Sequence, residues 1–215
     1  MGKKEIILDS AEIAAKTLLS AIPVGGTLIT ETWNVIKSHS LAKRNSEWQK
    51  TVEEKLAVLD VSLEEIGNNE LFTTTIVQAT EQALKTSSEK KRECLANAVI
   101  NSLNMDVEES IILIYLDMIA RYSELHIIIL SYFFNPISYG VDKSKYYMGS
   151  PKQPLFDTFP KLRSKESIVD RIVKDLYNDG VMASDDLNVM MTSDGMVASR
   201  TTELGKQLID FISSK

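Results

Sequence analysis

Apolar residues recur at helical spacing through most of the first 134 positions. An amphipathic stretch over residues 5–21 carries Ile6, Ile13, Leu18 and Leu19, and Pro23, Gly25 and Gly26 interrupt it. From Thr27 a helical pattern resumes with Ile29, Trp33 and Ile36, passes a kink near residues 38–40, and continues through Trp48, Val52, Leu56, Leu59 and Leu63. Gly67, Asn68 and Asn69 end it. A third helix carries Leu71, Phe72, Ile76, Ala79 and Ala83 to about Lys85. Thr86 and Glu89, at capping-box spacing, open a fourth bearing Leu95, Ala98, Val99 and Leu103. Asp106 and Glu109 repeat that spacing before the most apolar stretch, residues 111–134, expected as the central helix, which Ser123 can split by capping a second helix at Glu124.

The pattern then changes. Residues 135–153 hold three tyrosines and no clear period, which predicts a connecting loop and a domain boundary. Pro154 suits the first turn of a short helix with Leu155, Phe156 and Phe159. Ile168, Val169, Ile172, Val173 and Leu176 fall on one helix face, and Gly180 stands where a left-handed stop is needed. Residues 187–191 and 196–199 flank Thr192-Ser193-Asp194-Gly195, a turn-forming cluster that predicts a hairpin. Thr201 and Thr202 cap a last helix with Leu204, Leu208, Ile209 and Phe211. Helix, hairpin and helix in that order are the back half of a winged helix. The expected fold is therefore mainly α: an antiparallel helical bundle over 1–134, a connecting loop over 135–153, and a winged-helix-like module with one small β-hairpin over 154–215.

With 44% hydrophobic and 25% charged residues, the 215-residue chain has the profile of an ordinary soluble protein. A continuous membrane span over 111–134 is excluded by Asp117, Arg121, Glu124 and His126 near its middle. One cysteine, Cys94, makes no internal disulfide, and no leader pattern opens the chain, so a bacterial cytoplasm or an equivalent reducing compartment is expected. Catalysis is not expected. The two histidines, His39 and His126, have no Cys or His at metal-ligand spacing, and adjacent carboxylates such as Glu53-Glu54 point to different helix faces. No catalytic, cofactor-binding or metal-ligating residue is assigned, and no small-molecule substrate is inferred.

Net charge of −6 opposes an extended nucleic-acid surface. Over 151–215, nine Lys or Arg stand against ten Asp or Glu, and the outward face of the helix before Gly180 pairs Arg171 and Lys174 with Asp170 and Asp175. If DNA is contacted, Lys161, Arg163, Lys165, Arg171, Lys174 and Arg200 supply the phosphate contacts. A second candidate surface is the apolar amino-terminal hairpin of Leu18, Leu19, Ile22, Val24, Leu28, Ile29, Trp33 and Ile36, flanked by lysines. It suits packing on its own bundle, contact with a protein partner or a second copy of the chain, or conditional contact with a membrane surface.

Three segments carry a family resemblance: residues 78–86, Lys91-Arg92 through residues 97–102, and Met190-Met191-Thr192 with residues 200–205. In them the chain resembles a group of uncharacterised bacterial proteins with a helical bundle and a winged-helix tail. Leu95-Ala96-Asn97-Ala98, ahead of an apolar helix ending in Ser123-Glu124-Leu125-His126, is also similar to the abortive-infection alpha proteins of phage defence. These likenesses imply the fold and a bacterial origin; joined to the lack of a catalytic set, the expected function is a non-enzymatic protein acting through protein–protein contacts, as an accessory or effector in phage defence or stress response. The alternative is a winged-helix DNA-binding transcriptional regulator.

Overall fold

A computed structural model describes residues 40–59, 66, 68–103 and 107–214. The whole candidate hairpin from Leu18 to Ile36 lies outside these residues, as do His39, Leu63, Gly67 and Asp106. The described chain is mainly helical, with one small two-stranded antiparallel sheet. It divides into two units: the described residues up to Arg121 together with 211–214, and residues 122–210.

The first unit is built from α1 (Ala42–Ala57), α2 (Glu70–Lys85), α3 (Glu89–Ser102) and α4 (Glu109–Arg121). Trp48, Val52 and Leu56 recur every four residues along α1 and bury a single stripe. Phe72, Ile76, Ala79 and Ala83 do the same on α2. Both helices pack on α3, which is buried on most sides. Its Ala96 and Ala98 leave no exposed surface, so small side chains there permit close helix approach. Two polar side chains inside the unit are paired: the Trp48 indole N–H donates to Thr80 Oγ1 at 2.9 Å, and the Thr80 hydroxyl donates to the Ile76 carbonyl. The Lys91 ammonium, held below its ordinary pKa by burial, donates to the Ala120 carbonyl near the end of α4. Ser88, rather than Thr86, caps α3: its hydroxyl accepts the Lys91 amide, while Thr86 accepts the amide of Ser88 one step earlier. The helix therefore starts with the hydroxyl nearest its first amides, not with the residue that completes the capping-box spacing.

The second unit begins where the apolar stretch 111–134 breaks. Ser123 has extended backbone angles and heads a separate helix, α5 (Glu124–Phe134). Residues 135–153 are more ordered in form than a plain loop. They include two 3-10 turns, Pro136–Tyr139 and Lys143–Lys145, and a strand, β1 (Met148–Gly149). Tyr139 stacks edgewise into a cluster with Tyr132 and Phe159, which ties this segment to α5. Then come α6 (Lys152–Thr158) and α7 (Glu166–Asn178), joined by the buried Lys152 ammonium, which reaches Glu166 at 2.8 Å and Asp170 at 2.7 Å. Val169, Ile172, Val173 and Leu176 face the core as expected, but Ile168 is half exposed because it begins the first full turn at the edge of the buried stripe. Gly180 takes a φ of +75°, the left-handed stop that an L side chain resists.

The expected hairpin around residues 193–195 is absent. Thr192 instead caps a short helix, α8 (Ser193–Val197), by accepting the Gly195 amide. The strand before it, β2 (Met191–Thr192), pairs antiparallel with β1, placing Met148 opposite Thr192 and Gly149 opposite Met191. Strand structure is thus not confined to the carboxyl-terminal third. The last helix, α9 (Glu203–Ile212), is capped by Thr202, whose hydroxyl accepts the Gly205 amide and donates to the Gly180 carbonyl.

Candidate interaction surface

The β1–β2 ribbon has a packed face and an open face, set by the two-residue alternation of strands. Gly149 and Met191 lie on the packed side. A Cβ on Gly149 would stand 2.6 Å from Gln153 Oε1 and 3.1 Å from the Met196 sulfur, so only glycine fits that approach. The Arg200 guanidinium closes this side from within. One of its nitrogens donates to the Gly195 carbonyl and to the Met191 sulfur, its backbone amide donates to Phe133, and burial draws its pKa below the ordinary arginine value. The open side carries Met148 and Met190, 56% and 67% exposed; Val189 and Tyr147, which flank them outside the paired residues, are 47% and 88% exposed. Lone exposed apolar residues are ordinary on a protein surface, but four large ones within two short segments joined by the ribbon are not. One pair of charges near this end is matched: Lys143 Nζ lies 2.9 Å from Asp194 Oδ1.

Of the six basic residues considered for DNA, three are committed within the fold. Arg200 is the internal clamp just described; Arg163 pairs with Asp157 at 2.9 Å and lies over the Phe156 ring; Arg171 pairs with Asp175 at 2.9 Å. Lys161, Lys165 and Lys174 are exposed and form no ion pair among the described residues.

Sequence reasoning did not anticipate one polar constellation. The Ser123 hydroxyl lies 2.8 Å from His126 Nδ1, and His126 Nε2 faces Asp175 Oδ2 at 3.7 Å. The residue types are those of a nucleophilic relay, but the geometry serves the helix. The Ser123 amide also donates to Nδ1 at 3.2 Å, so the imidazole completes a capping box at the start of α5 and stacks on Tyr122. A neutral ring accepting at Nδ1 carries its proton on Nε2, and 3.7 Å is beyond hydrogen-bond range for orientation by Asp175. Asp175 is held below the usual carboxylate range, chiefly by Arg171. His126→Gln should therefore preserve the cap, since glutamine accepts the same amide, and change the unfolding free energy by no more than ~0.5 kcal/mol in urea titrations. A folded His126→Gln chain that loses its biological activity would assign chemistry to this histidine.

Cys94 is buried on α3 and is in no disulfide. Among the described residues no group of three or more His, Cys, Asp or Glu side chains can hold a metal ion, and no helix is long and apolar enough to cross a membrane. Comparison with protein-family models, with curated proteins and with solved structures finds no match for this chain.

Proposed function

We propose that the protein acts by non-covalent contact with another protein, through the open face of the β1–β2 ribbon. The observation that carries this reading is the set of exposed apolar side chains at the ribbon, Met148 and Met190 on its open face and Tyr147 and Val189 flanking them, while Gly149 and Met191 on the other face are half-buried. Aromatic and methionine side chains are the groups that interface cores favour, and neutralised neighbouring charges lower the desolvation penalty of covering them. Within the same proposal, the second unit is a winged-helix-like module whose wing position is taken by this ribbon and α8. The likeness of residues 95–98 and 123–126 to abortive-infection alpha proteins suggests a bacterial accessory or effector role in phage defence or stress response. A DNA-binding regulator is the weaker reading, because three unpaired lysines supply few phosphate contacts.

The test is a chain carrying Tyr147→Ser, Met148→Ser and Met190→Ser. All three side chains are more than half exposed, so its thermal unfolding should match the unaltered chain. Partner capture by cross-linking in cell extract, and self-association by light scattering, should weaken about tenfold or more. Retention of every partner and of the same molecular mass would overturn the assignment.

A further inference from the structure

In the first unit a cavity of about 470 Å³ opens between the end of α1, the middle of α3 and the residues that follow α9. Small-molecule pockets occupy roughly 300–1,000 Å³, so the volume suits a modest ligand. Its lining mixes apolar Val58, Leu59 and Ile100 with polar Glu54, Glu93 and Asn97.

The electrostatics favour a cation. The cavity lining holds two glutamates against one lysine, although Glu54 also pairs with Lys50 at 3.7 Å, so Glu93 is the carboxylate that matters here. That lysine, Lys55, is already matched: its Nζ lies 2.7 Å from Glu93 Oε1. Two helix C-termini also meet the cavity, since Val58 and Leu59 follow the end of α1 and Ser213 and Ser214 follow the end of α9. Each contributes the negative end of a helix dipole.

Asn97 sharpens this. It is only 7% exposed, and its Nδ2 donates to the Ile212 carbonyl at 2.9 Å. A carbonyl can only accept, so the amide orientation is fixed and Oδ1 remains as an acceptor that no described residue fills. Glu93 stands four residues earlier on α3, on the same helix face. An anionic ligand finds little here, because Lys55 is engaged and the other fixed groups are acceptors or hydroxyls.

We propose that this cavity binds a primary ammonium group carried on a short apolar stem. The ammonium donates to Asn97 Oδ1 and to the second carboxylate oxygen of Glu93, while the stem lies along Val58, Leu59 and Ile100. The site is independent of the ribbon, so either assignment can fail alone.

Titration calorimetry of the full chain with n-hexylamine, n-hexanoate and n-hexanol tests it, because the three share a stem and differ in the head group. Hexylamine should bind at least about tenfold more tightly than the other two, the difference expected for a charge-assisted hydrogen bond. Amide side-chain resonances of Asn97 should shift on its addition. Glu93→Gln should weaken hexylamine about tenfold without altering the weak binding of hexanol. Equal binding of amine and carboxylate by the unaltered chain overturns the proposal whether or not the Glu93→Gln chain folds, as does an unchanged hexylamine affinity in a folded Glu93→Gln chain.

Discussion

Replacing Gly205 with alanine is expected to lower the melting temperature of the second unit by about 10–20 °C. Helix propensity alone favours the change, because alanine is better than glycine inside a helix by about 1 kcal/mol. Packing opposes it more strongly. An alanine Cβ would stand 2.1 Å from the Val181 carbonyl oxygen and 3.0 Å from its carbon. Both partners are backbone, and Val181 is not free to retreat: its carbonyl accepts the Thr202 amide at 3.1 Å and its amide donates to Leu176 at 3.0 Å. Overpacking against so fixed a neighbour costs ~3 kcal/mol, which outweighs the propensity gain. Circular-dichroism melts decide it, with Lys206→Ala on the exposed side of α9 as the control, expected to stay within ~0.5 kcal/mol. A Gly205→Ala chain as stable as its parent would show that α9 does not approach Val181 this closely.

Asn101→Ala should destabilise the first unit by ~3 kcal/mol, the upper range for leaving buried hydrogen-bonding groups without partners. The last carbonyls of any helix have no partner within it. At the end of α9 two side chains take their place: Asn97 serves Ile212, and the single Nδ2 of Asn101 serves both Phe211 at 2.8 Å and Ser213 at 2.9 Å. Asn101 is 3% exposed, so water does not readily replace it. The urea midpoint should fall, and carboxypeptidase should remove residues near Phe211 faster than from the parent chain. An unchanged midpoint would mean that the carbonyls are solvated once the asparagine is gone.

The two asparagines show where reading the sequence stopped short. Their four-residue spacing on a largely buried helix marks one face, but nothing local says that a segment more than a hundred residues later supplies the carbonyls. Features that depend on neighbours in sequence fared better. The buried stripe of α7, the left-handed stop at Gly180 and the Thr202 cap all follow from spacing and backbone preference. Thr192-Ser193-Asp194-Gly195 misled for a physical reason. A hydroxyl followed by an acidic residue is as good a helix start as a turn, and the strand that completes the sheet, Met148–Gly149, is too short to show alternation. Likewise Ser123 and His126 had readable capping spacing, whereas the approach of Asp175 came from tertiary packing.

The wide sequence separation within the ribbon also bears on when its surface comes into being. A hairpin closes locally within microseconds, but Gly149 meets Met191 only after some forty intervening residues, α6 and α7 among them, have been brought into place. Loop closure of that length delays the pairing until most of the second unit has condensed. A nascent or partly folded chain therefore lacks the assembled apolar face, and the methionines and tyrosine come together only on molecules that have finished folding. Hydrogen exchange should reflect the same order, with the ribbon amides protected last during refolding and exposed first during partial opening.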